Sequence, residues 1–469
     1  KTLRDSAGMR WMVLFFLAFA MFCSYIFMDI LSPIKDLMQS TRGWDSTAFG
    51  TMQGSETFLN VFVFFLIFAG IILDKMGVRF TAVLSGAVML VGATINWYAV
   101  TEMFQGSSLE TWFNENLNYI PGFDELGISP FYLGMPASAK FAAIGFMIFG
   151  CGVEMAGITV SRGIVKWFKG HEMALAMGSE MALARLGVAT CMIFSPVFAK
   201  MGGVIDVSRS VAFGVVLLMI ALIMFIVYFF LDKKLDSQTG EAEEKDDPFK
   251  ISDIGNILRS RGFWLVALLC VLYYSAIFPF QRFATNMLES NLGVTAQTAA
   301  DIFRWFPMGA AAITPLLGSY LDHKGKGATM LIFGAILMTV CHLIFAFVLP
   351  AYPSTLIAYG AIIILGISFS LVPAALWPSV PKIMETRYLG SAYSLIFWIQ
   401  NIGLCLFPAV IGYALKFSNP GHVDGTAYNY TLPMVIFASC GIAAMLLGLW
   451  LKAEDRKKKY GLELPNIKK

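Results

Sequence analysis

Long apolar stretches, separated by short polar turns, run along almost the whole chain. Carrying a helix across a hydrocarbon core takes about 20 apolar residues, and twelve stretches of that order predict twelve membrane-spanning helices. In the first half they cover residues 11–31, 52–73, 80–100, 141–164, 173–198 and 211–231. In the second half they cover 263–287, 299–321, 328–349, 356–380, 389–415 and 434–451. The first stretch is longer than the apolar core of a cleavable leader and no small-residue cleavage site follows it, so it is expected to stay in the mature chain. Between the two sets, residues 232–262 are polar and charge-dense and read as a solvated linker. The expected organisation is a six-helix bundle over 1–231, a linker over 232–262, a second six-helix bundle over 263–452 and a basic tail over 453–469. The fold class is thus an all-α membrane protein made of two similar halves.

Composition agrees with the pattern. Hydrophobic residues make up 57% of the chain and charged residues only 14%, against roughly a quarter charged in soluble domains, which excludes a water-soluble globule. The 34 Lys and Arg exceed the 31 Asp and Glu by three, too little for a nucleic-acid-binding surface. All seven cysteines fall inside apolar stretches and the four histidines are scattered, so neither a disulfide framework nor a metal site is expected. The H-E-x-x-H, G-x-S-x-G and phosphate-loop patterns are absent; an enzyme is not expected, nor a cofactor.

The charges also orient the chain. With a cytoplasmic N-terminus, the inside segments collect 25 basic residues and the outside ones five, which by the positive-inside rule puts both termini in the cytoplasm. The long connection over 101–139 carries Glu102, Glu110, Glu115, Asp124 and Glu125 with no Lys or Arg, and is expected outside.

A weak internal repeat links the halves. Gly70-Ile-Ile-Leu-Asp74-Lys75-Met-Gly77-Val-Arg79 and Gly318-Ser-Tyr-Leu-Asp322-His-Lys-Gly325-Lys326-Gly share their Gly, Asp and Gly spacing at an offset of 248 residues, although the second lacks the final Arg. These stretches resemble the inner-loop signature G-x-x-x-D-[RK]-x-G-x-[RK] of the major facilitator superfamily. The resemblance implies a transporter of two parallel repeats, with Asp74, Arg79 and, in the weaker copy, Asp322 as gate residues. The alternative is a solvated turn whose basic residues only set topology.

Charges at membrane depth are costly unless paired or facing a cavity, so each marks a candidate site. Glu154 stands 12 residues before Lys166 and Arg185 stands 13 residues after Glu172, so both lie roughly 18–20 Å from the inner boundary on adjacent antiparallel helices. Two readings remain open. The pair neutralises itself, or it faces water and holds opposite charges on a substrate, Arg gripping a carboxylate and Glu accepting from an ammonium group. The small residues of Gly150-Cys-Gly152-Val-Glu154 are expected to allow close helix packing. Tyr25, Asp29, Glu56, Glu180, Arg282 and Arg304 are weaker candidates, and Glu180, about 140° around the helix from Arg185, is not expected to share its face. In the second half Tyr273, Tyr274, Trp377, Trp398 and Asn401 are candidate pocket residues, with Pro279 and Pro378 marking helices that bend.

The runs Phe149-Gly-Cys-Gly-Val-Glu154, Trp167-Phe-Lys-Gly-His-Glu172, Ala184-Arg185-Leu-Gly187 and Ala375-Leu-Trp377-Pro378 are similar to the lysosomal dipeptide transporters of that superfamily and their prokaryotic relatives. The resemblance implies Glu154 on a peptide's amino terminus, Arg185 on its carboxylate and Trp377 on the apolar wall. It also implies facilitated diffusion and a glycosylated accessory membrane subunit in the animal members; the sequence does not indicate such a partner here. Helix one lacks the E-x-x-E-R coupling motif of proton-coupled oligopeptide carriers. The expected function is a carrier of dipeptides or similar small zwitterions, uniport or proton-coupled, in a cell membrane, a bacterial inner membrane preferred over a lysosomal one. A carrier of organic anions or phosphate esters, helped by Arg282 or Arg304, and a non-transporting nutrient receptor on the same scaffold are the alternatives.

Overall fold

The computed structural model describes residues 1–469 apart from 126–127, 169–170, 172, 241–249, 386–387 and 466–469; the side chains of 173–175, 322, 373 and 390 also lie outside the description. Two compact units, Lys1–Lys245 and Asp246–Lys469, make up the chain, and no strand occurs among the described residues.

The first unit holds α1 (Ala7–Met28), α2 (Lys35–Arg42), α3 (Ser46–Gly54), α4 (Phe58–Phe62), α5 (Phe65–Val100), α6 (Ser108–Glu115), α7 (Ala137–Trp167), α8 (Met173–Ala199) and α9 (Val207–Thr239). The second holds α10 (Ile254–Leu258), α11 (Arg261–Leu292), α12 (Ala296–Phe303), α13 (Trp305–Lys324), α14 (Gly327–Leu343), α15 (Leu349–Ala351), α16 (Thr355–Leu371), α17 (Trp377–Ile383), α18 (Leu389–Ser418) and α19 (Thr431–Lys458). Ten helical segments among the described residues are long and apolar enough to cross a membrane. The second and eighth expected spans are the two without a segment of their own among these ten. The second passes through α3, a 3-10 turn at Ser55–Thr57, α4 and Phe64 in the left-handed region (φ 58°) before entering α5. The eighth is divided at Arg304 between α12 and α13. Subtracting the 248-residue offset places Arg304 on Glu56, so both copies break at one position. The ten segments, with the second and eighth spans added, are consistent with twelve.

The repeated turns also agree in backbone. Gly77 (φ 83°) breaks α5 into two helices, and its counterpart Gly325 (φ 80°) separates α13 from α14. Positive φ at this angle suits glycine, which has no Cβ to clash.

Glycine also sets the helix spacing inside the first unit. A Cβ on Gly145 would lie 2.6 Å from the Gly92 carbonyl oxygen and 2.7 Å from the Asn96 nitrogen, so α5 and α7 touch backbone to backbone. Asn96 adds a bond from Nδ2 to the Ala142 carbonyl at 3.1 Å. At the end of α7 that begins with Ala137, the fully buried Lys140 donates to the carbonyls of Phe113 (2.8 Å) and Asn116 (3.1 Å) and to Asn118 Oδ1 (2.6 Å). The carbonyls at the C-terminus of α6 welcome a cation, and three acceptors match the three donors of an ammonium group. The acidic connection is thereby pinned to the bundle, with Phe104 and Phe113 packed on Ala137 beneath it.

Helix α9 extends into what the sequence reads as linker. Asp232 is fully buried and accepts from Trp167 Nε1 (2.8 Å), Lys166 Nζ (2.8 Å), Arg79 (3.1 Å) and the Tyr228 hydroxyl (3.2 Å). Its charge is matched by partners on α5 and α7, which lets the helix continue to Thr239.

Candidate functional site

Close approach of backbones positions the polar groups of the first unit. A Cβ on Gly150 would collide with the Glu56 carbonyl, so α7 lies directly against the break in the second span. Two residues on, about half a helical turn, a Cβ on Gly152 would meet Met89 Cγ at 2.5 Å and Met89 N at 2.7 Å. The G-C-G-V-E run thus holds α7 between that break and α5, with the half-buried Glu154 immediately beyond. On α8, a Cβ on Gly187 would lie 2.5 Å from the Phe22 carbonyl and 3.3 Å from Tyr25 Cβ, so α8 packs closely on α1 two residues from Arg185.

The result is one electrostatic neighbourhood. The charges of Glu180, Arg185, Glu56 and Glu154 all act on Tyr25. Glu154 also feels Glu56, and Cys151 feels both carboxylates. Glu56 is 8% exposed, whereas Tyr25, Glu154, Glu180 and Arg185 are half-buried. The 140° between Glu180 and Arg185 does not separate them electrostatically, because long side chains from flanking positions can converge on a group seated on the neighbouring helix. Three carboxylates and one guanidinium around a phenol offer acceptors for an ammonium group and a fork for a carboxylate. Sequence reading ranked Tyr25, Glu56 and Glu180 low. The helix break at Glu56 that brings these groups together is a backbone feature that no hydropathy window resolves.

In the second unit Trp377, at the start of α17, is the hub of an aromatic cluster. Its Nε1 donates to the Tyr274 hydroxyl at 3.1 Å, and the Tyr393 hydroxyl donates to its carbonyl at 3.1 Å. Phe397 packs at 4.9 Å, and Tyr274 stacks on Phe278 at 5.5 Å. Tyr273 points elsewhere: it is fully buried and donates to the Leu331 carbonyl of α14. Asn401 spends Nδ2 on the Phe397 carbonyl of its own helix (2.8 Å), and Trp398 is half-buried. Arg304 pairs with Asp301 at 3.8 Å and lies over the Trp305 ring. Arg282 is buried at 7% exposure in α11.

At the first repeated turn Asp74 accepts from Arg162 at 2.8 Å. Arg79 reaches Asp232 and Asp236, which Lys166 shares (2.7 Å to Asp236). The Asp322 side chain lies outside the described set. No grouping of three or more His, Cys, Asp or Glu side chains suited to a metal occurs among the described residues.

The sequence profile of the Major Facilitator Superfamily matches residues 125–408. The chain is 26% identical over 464 residues to the lysosomal dipeptide transporter MFSD1 of Danio rerio, covering 97% of this chain and 89% of that one. It is 24% identical over 415 residues to the Homo sapiens protein of the same name, covering 87% and 80%. Among solved structures it superposes on the nucleoside transporter NupG with a TM-score of 0.66 at 14% identity, over 94% of this chain and 98% of that one. On a D-xylose-proton symporter the TM-score is 0.66 at 12% identity, over 95% and 97%; likeness at these identities concerns the fold alone.

Proposed function

Since the chain belongs to the Major Facilitator Superfamily and is a multi-pass membrane transporter, not an enzyme, we propose that its cargo is a dipeptide or a similar small zwitterion. The observation that carries this reading is the neighbourhood of Glu154, Arg185 and Tyr25, flanked by Glu56 and Glu180. Arg185 takes the peptide carboxylate, because a planar fork matches two carboxylate oxygens. Glu154 takes the amino terminus. Selectivity rests on the two ends of the cargo, which all short peptides share; within the second unit, the aromatic cluster of Trp377 and Tyr274 is by itself a patch suited to apolar side chains. Tyr273, sealed against α14, is left out of this set; Trp398 and Asn401 stand at its margin. Relatives named for dipeptide transport support the reading over most of the chain's length. Asp74, paired with Arg162, and Arg79, paired with α9, act in gating, with Asp322 as the weaker copy. The site is a cell membrane with both termini in the cytoplasm.

Counterflow in proteoliposomes tests the proposal with dipeptides, dipeptides blocked at both ends, and organic anions. Glu154→Gln and Arg185→Ala should each lower dipeptide exchange by at least about tenfold, the loss of one charge-assisted contact, and blocked peptides should not exchange. If Glu154→Gln leaves uptake intact while Arg185→Ala abolishes it, the cargo is an anion. Arg304, engaged by Asp301, makes a poor second cation for that alternative. Thermal stabilisation by dipeptide without flux would mark a receptor.

A further inference from the structure

Residues 459–465, which follow α19, are built into the second unit. Beyond α19, Lys459 is left-handed (φ 56°), and the Asp455 carboxylate accepts from the N–H groups of Gly461 (3.0 Å) and Leu462 (3.2 Å). Residues 460–465 then turn back across the start of α14. That helix has no side-chain cap of its own, and its N-cap, Lys326, is left-handed. The cap comes from 134 residues away: Thr329 donates from its N–H and its hydroxyl, each at 2.8 Å, to the two oxygens of the Glu463 carboxylate. Lys326 N–H donates to the Glu463 carbonyl (2.9 Å) and Gly327 N–H to the Leu462 carbonyl (3.1 Å). A carboxylate is favoured at a helix start, where N–H groups lack partners. Glycine is required beneath it, since a Cβ on Gly325 would lie 2.6 Å from the Glu463 carbonyl oxygen.

The other edge of the same segment meets a bendable helix. Lys382 Nζ donates to the Leu464 carbonyl at 3.1 Å, and Leu462 and Leu464 line a small cavity with Ala374, Ala375, Pro378 and Ser379. Those residues lie in a π-helical stretch, Val372–Leu376, and in α17, which contains Pro378 and Pro381. π-turns and prolines interrupt the hydrogen-bond ladder and are where helices bend. Trp377 sits at the centre of this hinge.

The first copy of the repeated turn is tied differently: Arg79 reaches Asp232 and Asp236 of α9, the last long helix of its unit. The second copy has no Arg at that place, and Glu463, just past the last helix of its own unit, supplies the tie. We propose that residues 460–465 form a regulatory strap that joins the α13–α14 turn to the 372–383 hinge and slows its bending.

Hydrogen exchange in lipid nanodiscs tests this without reference to any cargo. In the chain truncated after Lys459, and in full-length Glu463→Ala, amides of 372–384 should exchange about tenfold faster, while those of α11 stay unchanged. Counterflow of whatever solute the wild type carries should rise about twofold or more at unchanged KM. Unchanged exchange at 372–384 overturns the proposal. So does a uniform rise that includes α11, which would make the segment a general stabiliser, and so does a loss of flux. Because the exchange readout needs no solute, its failure is distinct from failure of the dipeptide reading.

Discussion

Asp232→Ala is the substitution whose cost the structure specifies most closely. The wild-type carboxylate is fully buried and accepts from four groups, of which Trp167 and Tyr228 are themselves fully buried. Arg79 and Lys166 keep Asp236 as a partner after the change, so neither cation is abandoned. Among the described residues Asp232 is the acceptor of Trp167 Nε1–H, and a buried donor left unsatisfied costs about 1–3 kcal/mol. Adding the lost charge-assisted bonds brings the expected destabilisation to about 3–5 kcal/mol, the usual range for breaking a buried ion pair from one side. Asp236→Ala differs: its side chain is 29% exposed and that of Arg79 30%, and such half-open pairs contribute about 0–1 kcal/mol. Thermal unfolding in detergent micelles should separate the two. At about 2–4 °C per kcal/mol for a unit of this size, Asp232→Ala should melt roughly 6–20 °C lower and Asp236→Ala at most about 4 °C lower. Asp232→Asn, which retains an acceptor for Trp167, should fall between them. Combining Asp232→Ala with Trp167→Phe should show a coupling of about 1 kcal/mol or more. Equal melting shifts for Asp232→Ala and Asp236→Ala would refute the argument that burial, not the count of contacts, sets the cost.

Two more outcomes follow from packing and charge. Gly152→Ala and Gly187→Ala drive a methyl group into backbone at 2.7 and 2.5 Å and should each destabilise by about 1–3 kcal/mol, whereas Gly157→Ala, with nothing within 4 Å, should melt like wild type; equal melting of all three would overturn the close-packing account. Lys140→Met removes the ammonium group that donates to the Phe113 and Asn116 carbonyls, so limited proteolysis should cut the 101–136 connection sooner while α7 stays protected; unchanged cleavage would show that the aromatic packing alone holds it.

Much of the architecture can be read from hydropathy, because a lipid environment forces each spanning segment to satisfy its backbone bonds internally and to show apolar side chains outward. That single constraint gives the all-helical membrane fold and most of its spans, and the resemblance carried by a few motifs gives the family. It also marks Glu154 and Arg185, since an ionisable residue inside an apolar run stands out without any coordinates. Three things needed the tertiary structure. The breaks at Glu56 and Arg304 are hidden because a short local change of backbone, such as the 3-10 turn and left-handed Phe64 of the second span, leaves hydropathy unchanged. The roles of Tyr273 and Asp232 depend on which helix face meets which neighbour: one aromatic is sealed in packing, and a charge assigned to a solvated linker is buried among partners up to 153 residues away. Glu463 looks like one more polar residue of a charged tail until the uncapped start of α14 is placed beside it. Local pattern determines which segments become helices. Long-range juxtaposition decides which polar groups meet, because a side chain's partner in space is fixed by helix packing and not by its neighbours in sequence.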